Sequence, residues 1–213
     1  MERNAEMGKP IVFIQWLKPS EYSEARAVIR EYATRDDEIA FHDVATKAEA
    51  VAVLRQHSGD GDCQFLFIGT HGGVNGIGTS SSDLLTWREL WNEICKWRER
   101  PVLWLGACRS SLCAAAWTPL PTDKQAVQWI VGFATPIYPK EIKNILGRLV
   151  GMTTVSPIVF VDEEIPRLRK EFPSTQAEMF YPAHFDRKNG FLKTDDFMSK
   201  LGVTFKVFLQ NQR

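Results

Sequence analysis

Short blocks of continuous apolar residues alternate along this chain with stretches whose apolar positions recur every three to four residues. Ile11–Leu17 (IVFIQWL), Gln64–Ile68, Val102–Leu105 and Ala126–Ala134 (AVQWIVGFA) are blocks of the first kind. Runs of that length, bounded by glycine or polar residues, read as strands buried on both faces of a parallel sheet. Glu38–Val44 adds a weaker strand. The intervening stretches read as helices. Ser20 is placed to cap a helix over Glu21–Thr34, with Tyr22, Ala25, Ile29 and Ala33 near helical spacing, and Thr46 to cap one reaching Gln56, closed by Gly59-Asp60-Gly61. Thr86–Trp97 carries Trp87, Leu90, Trp91 and Ile94 on one stripe, and Lys140–Val150 is a further helix. A helical segment is expected just after Cys108, ending by Trp117 because the proline-rich loop Thr118–Asp123 follows.

The resulting order, βαβαβαβαβα, specifies an α/β fold: a three-layer α/β/α sandwich on a mainly parallel five- to six-stranded sheet. Gly72–Ser82, with its glycines and serine run, reads as a loop. Beyond residue 152, Val155–Val161 reads as a sixth strand or an apolar loop, Glu163–Phe172 as a helix and Thr204–Leu209 as a terminal strand. With no repeat, low-complexity tract or linker, residues 1–213 are expected to form one domain.

Composition removes several function classes. Lys+Arg and Asp+Glu both total 26, so there is no overall basic field for nucleic acid or an anionic membrane. The N-terminal MERNAEMGKP lacks the apolar core of a secretion signal, and no stretch approaches the roughly 20 apolar residues of a membrane span. The expectation is a cytoplasmic protein. Cys63, Cys95, Cys108 and Cys113 lack zinc-ligand spacing, and a reducing setting leaves free thiols. Of the 7 Trp, most are expected in the core and some along a peptide groove.

Two segments carry candidate chemistry: Phe65–Gly73 (FLFIGTHGG) and Val102–Ser110 (VLWLGACRS). Each apolar run breaks at a small residue beside a reactive side chain, His71 before Gly72 and Cys108 after Ala107. Function in open α/β sheets gathers at the carboxyl ends of strands. A free thiol has a pKa of about 8.5, so an imidazole that takes its proton makes the nucleophile and can return the proton to a leaving amine. A helix starting just after Cys108 would favour the thiolate through its dipole. The backbone N–H of Cys108, with that of Gly72 or Gly73, would meet a developing oxyanion, each donor being worth about 3–4 kcal/mol.

The order strand–His–Gly, then strand–Ala–Cys, over roughly Ile11 to Val150, resembles the caspase-like clan of cysteine peptidases. That clan includes caspases, metacaspases, legumain-type, gingipain-type and bacterial CHAT-domain proteases. Gly106-Ala107-Cys108-Arg109-Ser110 is close to the caspase pattern Gln-Ala-Cys-Arg-Gly. The resemblance implies a thiol protease with His71 as base, Cys108 as nucleophile, and Gly72 and Cys108 as oxyanion donors. It also implies a protein substrate, no metal or organic cofactor, and a regulatory or sensor protein partner in a bacterial defence or stress system. Three departures point away from aspartate specificity and toward CHAT-like members. His71 precedes Cys108 by 37 residues (108 − 71) rather than the about 50 of caspases. Gly106 replaces the glutamine, and the loop after the first strand has Lys18 but no arginine.

Blander readings compete. A lone cysteine after a strand is commonly a small buried hydrophobe; it is the pairing with His71 on a neighbouring strand that favours chemistry. Cys63, Cys95 and Cys113 read as structural, and His42 and His57 as surface or packing residues. Asp83, Asp123 and Asp162 are the acidic candidates for a substrate-binding pocket, and each is by default an ordinary loop or cap residue. Gly106-x-Cys108-x-Ser110 also approximates a nucleophile elbow, which with Asp162 and His184 would give a Cys–Asp–His hydrolase or amidotransferase order. That reading lacks the closing glycine and leaves His71-Gly72 unexplained. A non-catalytic α/β interaction module is the non-enzymatic alternative. Gly72–Gly78 lacks the Gly-Lys-Ser/Thr ending of a phosphate cradle.

Overall fold

The computed structural model describes residues 11–18, 21, 39–61, 63–117, 127, 129–133, 167, 170–171 and 177–180. Its main sheet contains β1 (Ile11–Trp16), β2 (Ile39–Asp43), β3 (Phe65–Thr70), β6 (Val102–Gly106), β7 (Trp129–Phe133) and β8 (Ala177–Phe180), while β4 (Gly76–Ser80) and β5 (Asp83–Thr86) form a separate hairpin. Spatial order in the main sheet is β2-β1-β3-β6-β7-β8. All neighbours pair in parallel except β7 and β8. Every residue of β1 and of β6 is buried, which is why their sequences run apolar without alternation.

The strand order reverses once. From β1 the chain steps outward to β2, then crosses back over β1 to β3 and continues one way through β6 and β7. Three described helices follow the steps in that second direction: α1 (Lys47–Gln56), α2 (Trp87–Ile94) and α3 (Leu112–Trp117). Right-handed crossovers that all step the same way must lie on the same face. Accordingly Val53, Leu54, Leu90, Ile94 and Leu112 share one core with Val12, Ile14, Leu66, Ile68, Leu103 and Leu105. Thr46 and Thr86 start α1 and α2 with capping boxes completed by Glu49 and Glu89.

The opposite face carries a row of rings. Phe13 stacks on Phe41 at 5.1 Å and on Phe67 at 4.3 Å between centroids, and Trp104 meets Phe67 at 6.3 Å and Phe133 at 6.2 Å. This row crosses β2, β1, β3, β6 and β7, and Phe13, Phe67, Trp104 and Phe133 are all buried. Gly106 belongs to it: a Cβ there would sit 2.7 Å from the Phe67 ring.

The structure departs from the sequence reading in three places. Gly72–Ser82 is not a plain loop but holds β4 and the turn into β5. Gly76 and Gly78 are required by close approach, since a Cβ would fall 2.2 Å from the Leu85 carbonyl oxygen and 2.1 Å from that of Asp83. Their presence hides the strand pattern. The helix after Cys108 starts only at Leu112, and β8 is an additional antiparallel strand. Residues 167, 170 and 171 are helical, within the expected helix at 163–172. The expected helices over residues 22–34 and 140–150 and the segments 155–161 and 204–209 lie outside the described residues. Among the described residues no helix is long and apolar enough to cross a membrane.

Candidate active site

His71 leaves the end of β3 and is fixed at once by the hairpin. Its carbonyl accepts the Gly78 N–H at 3.0 Å, and the Gly73 N–H donates to the Gly76 carbonyl at 3.0 Å. Those two bonds flank an isolated antiparallel bridge between Gly72 and Ile77. Gly72 therefore occupies the non-hydrogen-bonded position, with its own N–H and C=O directed away from the hairpin. The buried Trp87 indole Nε1–H donates to the Val74 carbonyl at 2.8 Å and holds the loop down.

Cys108 follows the end of β6 in a turn closed by the Ser110 N–H on the Ala107 carbonyl at 3.2 Å. Arg109 takes a left-handed φ of 55° to make that turn, a strained conformation for a residue with a Cβ. Fully buried Ser110 pins the turn from below. Its hydroxyl donates to the Leu105 carbonyl at 2.9 Å and accepts the Phe133 N–H at 3.0 Å. Ser111 N–H adds a bond to the Phe133 carbonyl at 3.2 Å. Gly132 makes room, because a Cβ on it would sit 2.7 Å from the Ser111 nitrogen. At the end of α3, the Trp117 indole donates to the Trp87 carbonyl at 2.7 Å. Trp87 thus binds both the His71 hairpin and the helix that continues from Cys108.

The two strand ends meet. The β3–β6 ladder closes at Gly69 opposite Gly106, and His71 and Cys108 each lie two residues further on. Parallel neighbours run about 4.8 Å apart, and just past the ladder the two segments still touch. A Cβ on Gly72 would fall 2.1 Å from the Cys108 carbonyl oxygen and 2.9 Å from the Ala107 Cβ. Gly72 is glycine for that contact.

A third group joins from the adjacent strand end. Glu21, just past β1, places its carboxylate oxygens 3.1 and 3.2 Å from His71 Nε2. Burial pushes the Glu21 carboxyl up, but the His71 hydrogen bond, the Lys18 backbone N–H and the charges of His71 and Lys18 outweigh it and leave it below the usual range. Nothing in the sequence singles out Glu21 except its place where the strand order reverses. Beside His71 an open pocket of about 310 Å³ is lined mainly by small residues, among them Gly72, Gly73, Thr79 and Ser80, with Leu84.

Among the cysteines, none of which forms a disulfide, Cys108 differs in exposure from two others. Burial pushes Cys63 up to about 12 and Cys113 well above the ordinary thiol range. Cys108 is half-buried. It lies four residues before α3, beyond the first turn where a helix dipole acts, so the expected dipole assistance is not supplied. Gly73 cannot serve as a free donor, its N–H being committed to Gly76.

Other sequence candidates resolve differently. Asp83 ties the hairpin to α1, accepting the Lys47 N–H at 2.8 Å and the Thr79 hydroxyl at 3.1 Å. Asp123, Asp162 and His184 lie outside the described residues. His42 on β2 and His57 just past α1 form a chain of their own: the rings touch Nε2 to Nε2 at 2.8 Å, and His57 Nδ1 meets the Asp60 carboxylate. Among the described residues no group of three or more His, Cys, Asp or Glu side chains is gathered as metal ligands. Compared with protein-family models and with curated proteins, the chain matches none.

Proposed function

We propose that the protein is a cysteine endopeptidase with a caspase-like, three-layer fold, closest in style to bacterial CHAT-domain proteases. The observation carrying this reading is the contact of Gly72 with the Cys108 carbonyl, which brings the His and Cys strand ends together in register. His71 takes the proton from the Cys108 thiol, and the sulfur attacks the peptide carbonyl carbon. The tetrahedral oxyanion is met by the Gly72 N–H, directed away from the hairpin, and by the Cys108 N–H. The C–N bond breaks as His71 returns the proton to the leaving amine, giving a thioester. Water, deprotonated by His71, then hydrolyses the thioester and Cys108 recovers its proton. The pocket beside His71, lined mainly by glycine, serine and threonine and by no acidic residue, supports accommodation of the leaving half of an extended protein substrate. This chemistry needs no cofactor. A sensor partner within a cytoplasmic defence or stress system is the regulatory context of this reading.

Thiol reactivity tests it. Cys108 is expected to alkylate faster than Cys63, Cys95 and Cys113 near neutral pH, and His71→Ala to remove the advantage while His184→Ala does not. A Cys108 rate no faster than the others and indifferent to His71→Ala would leave a non-catalytic module. Sensitivity to His184→Ala alone would favour the Cys–Asp–His order. A peptide-library cleavage profile with Cys108→Ala as control then gives the specificity.

A further inference from the structure

We propose that Glu21 is a positioning residue for His71: its carboxylate receives the Nε2–H, fixes one imidazole tautomer and leaves Nδ1 as the nitrogen that takes the Cys108 proton. This rests on the His71–Cys108 reading and adds a third member to it. The two carboxylate oxygens stand almost equidistant from one ring nitrogen, at 3.1 and 3.2 Å. An ionised carboxylate only accepts hydrogen bonds, so the nitrogen facing it carries the hydrogen. In neutral imidazole the other nitrogen then holds the lone pair. The lowered titration of Glu21 keeps it ionised at neutral pH.

The carboxylate is itself held. Lys18 N–H donates to its Oε2 at 3.1 Å, and the Glu21 N–H closes the turn on the Lys18 carbonyl at 2.8 Å. Lys18 is the other charged group acting on the pair among the described residues. The contact spans the reversal of strand order between β1 and β3, where open α/β sheets hold their ligands. When His71 accepts the thiol proton, the imidazolium faces a carboxylate. That charge–charge attraction is absent while the imidazole is neutral, so it favours proton transfer rather than the ground state. Side-chain exposures of 52% for His71 and 38% for Glu21 mean solvent screens the pair. The expected gain is about 1.5- to 5-fold, far below that of a buried triad.

Imidazole-nitrogen NMR on the intact, 15N-histidine-labelled chain tests the assignment alongside iodoacetamide alkylation of Cys108. His71 is expected as the Nε2–H tautomer. Glu21→Ala should give a tautomer mixture and slow alkylation about 1.5- to 5-fold, with Glu21→Asp restoring part of both. An Nδ1–H signal in the parent chain, or unchanged tautomer and rate in Glu21→Ala, overturns the role of Glu21. If Glu21→Ala folds poorly, near-isosteric Glu21→Met, which has no oxygen to accept the Nε2–H, carries the same test, an unchanged tautomer and rate again being the overturning result. Alkylation indifferent to His71→Ala sinks the dyad itself, a separate failure from that of Glu21.

Discussion

Gly72 and Cys108 are in such close backbone contact that no side chain fits between them; a Cβ on Gly72 would lie 2.1 Å from the Cys108 carbonyl oxygen. Gly73, one residue on, has nothing within 4 Å of the same position. Gly72→Ala is therefore expected to push the strand ends apart, costing about 1–3 kcal/mol and lowering Cys108 reactivity on the order of 100-fold. Gly73→Ala should stay within about 0.5 kcal/mol of the parent and keep its reactivity. Urea unfolding and thiol alkylation read both. A reactive Gly72→Ala would show that the contact does not set the geometry.

Ser110 supports the cysteine turn through two buried hydrogen bonds, to Leu105 and from Phe133. Ser110→Ala leaves those backbone groups unpaired, at a cost of about 1–3 kcal/mol. Cys108 alkylation should change with it, because the hydroxyl is what fastens the turn to β6 and β7. An unfolding midpoint equal to that of the parent would argue that water or a neighbour replaces the hydroxyl.

Arg109 holds a left-handed backbone conformation at φ 55°. Arg109→Gly should raise stability by ~0.5–1 kcal/mol, since glycine adopts that region without a Cβ clash. Arg109→Ala keeps the clash and should give no gain. Equal effects of the two substitutions in denaturant unfolding would assign the change to the lost charge instead.

His42 is lowered below the ordinary histidine value, first by burial and then by the charge of His57. Above about pH 6.5 neither the folded nor the unfolded chain protonates it appreciably. As pH falls through that value the unfolded chain takes a proton that the folded chain resists, so stability falls. The loss levels off below the folded value. Urea midpoints should therefore decline from pH 7.5 to 5.5, and His42→Gln should flatten the decline. An equal slope in both proteins would place the titration elsewhere.

The sequence carries much of this frame because buried strands leave an unbroken apolar signal. β1, β3 and β6 fall within two residues of the apolar blocks, and Thr46 caps the helix expected after it. The β4–β5 hairpin was hidden by the very glycines that let its strands approach. Glu21 reads as the opening residue of a helix, and its meaning depends on a partner 50 residues away that only strand order brings near. The three-residue delay before α3 depends on Ser110 reaching Leu105 and Phe133, a tertiary contact with no local signature.

Glu21, His71 and Cys108 hang from β1, β3 and β6, which have β2 outside them on one side and β7 and β8 on the other. Thermal fraying starts at sheet edges, where few contacts must break, and reaches interior strands only near global unfolding. Backbone amides of the three carrying strands should thus exchange with solvent among the slowest in the molecule. The residues proposed to react stand on its last part to open.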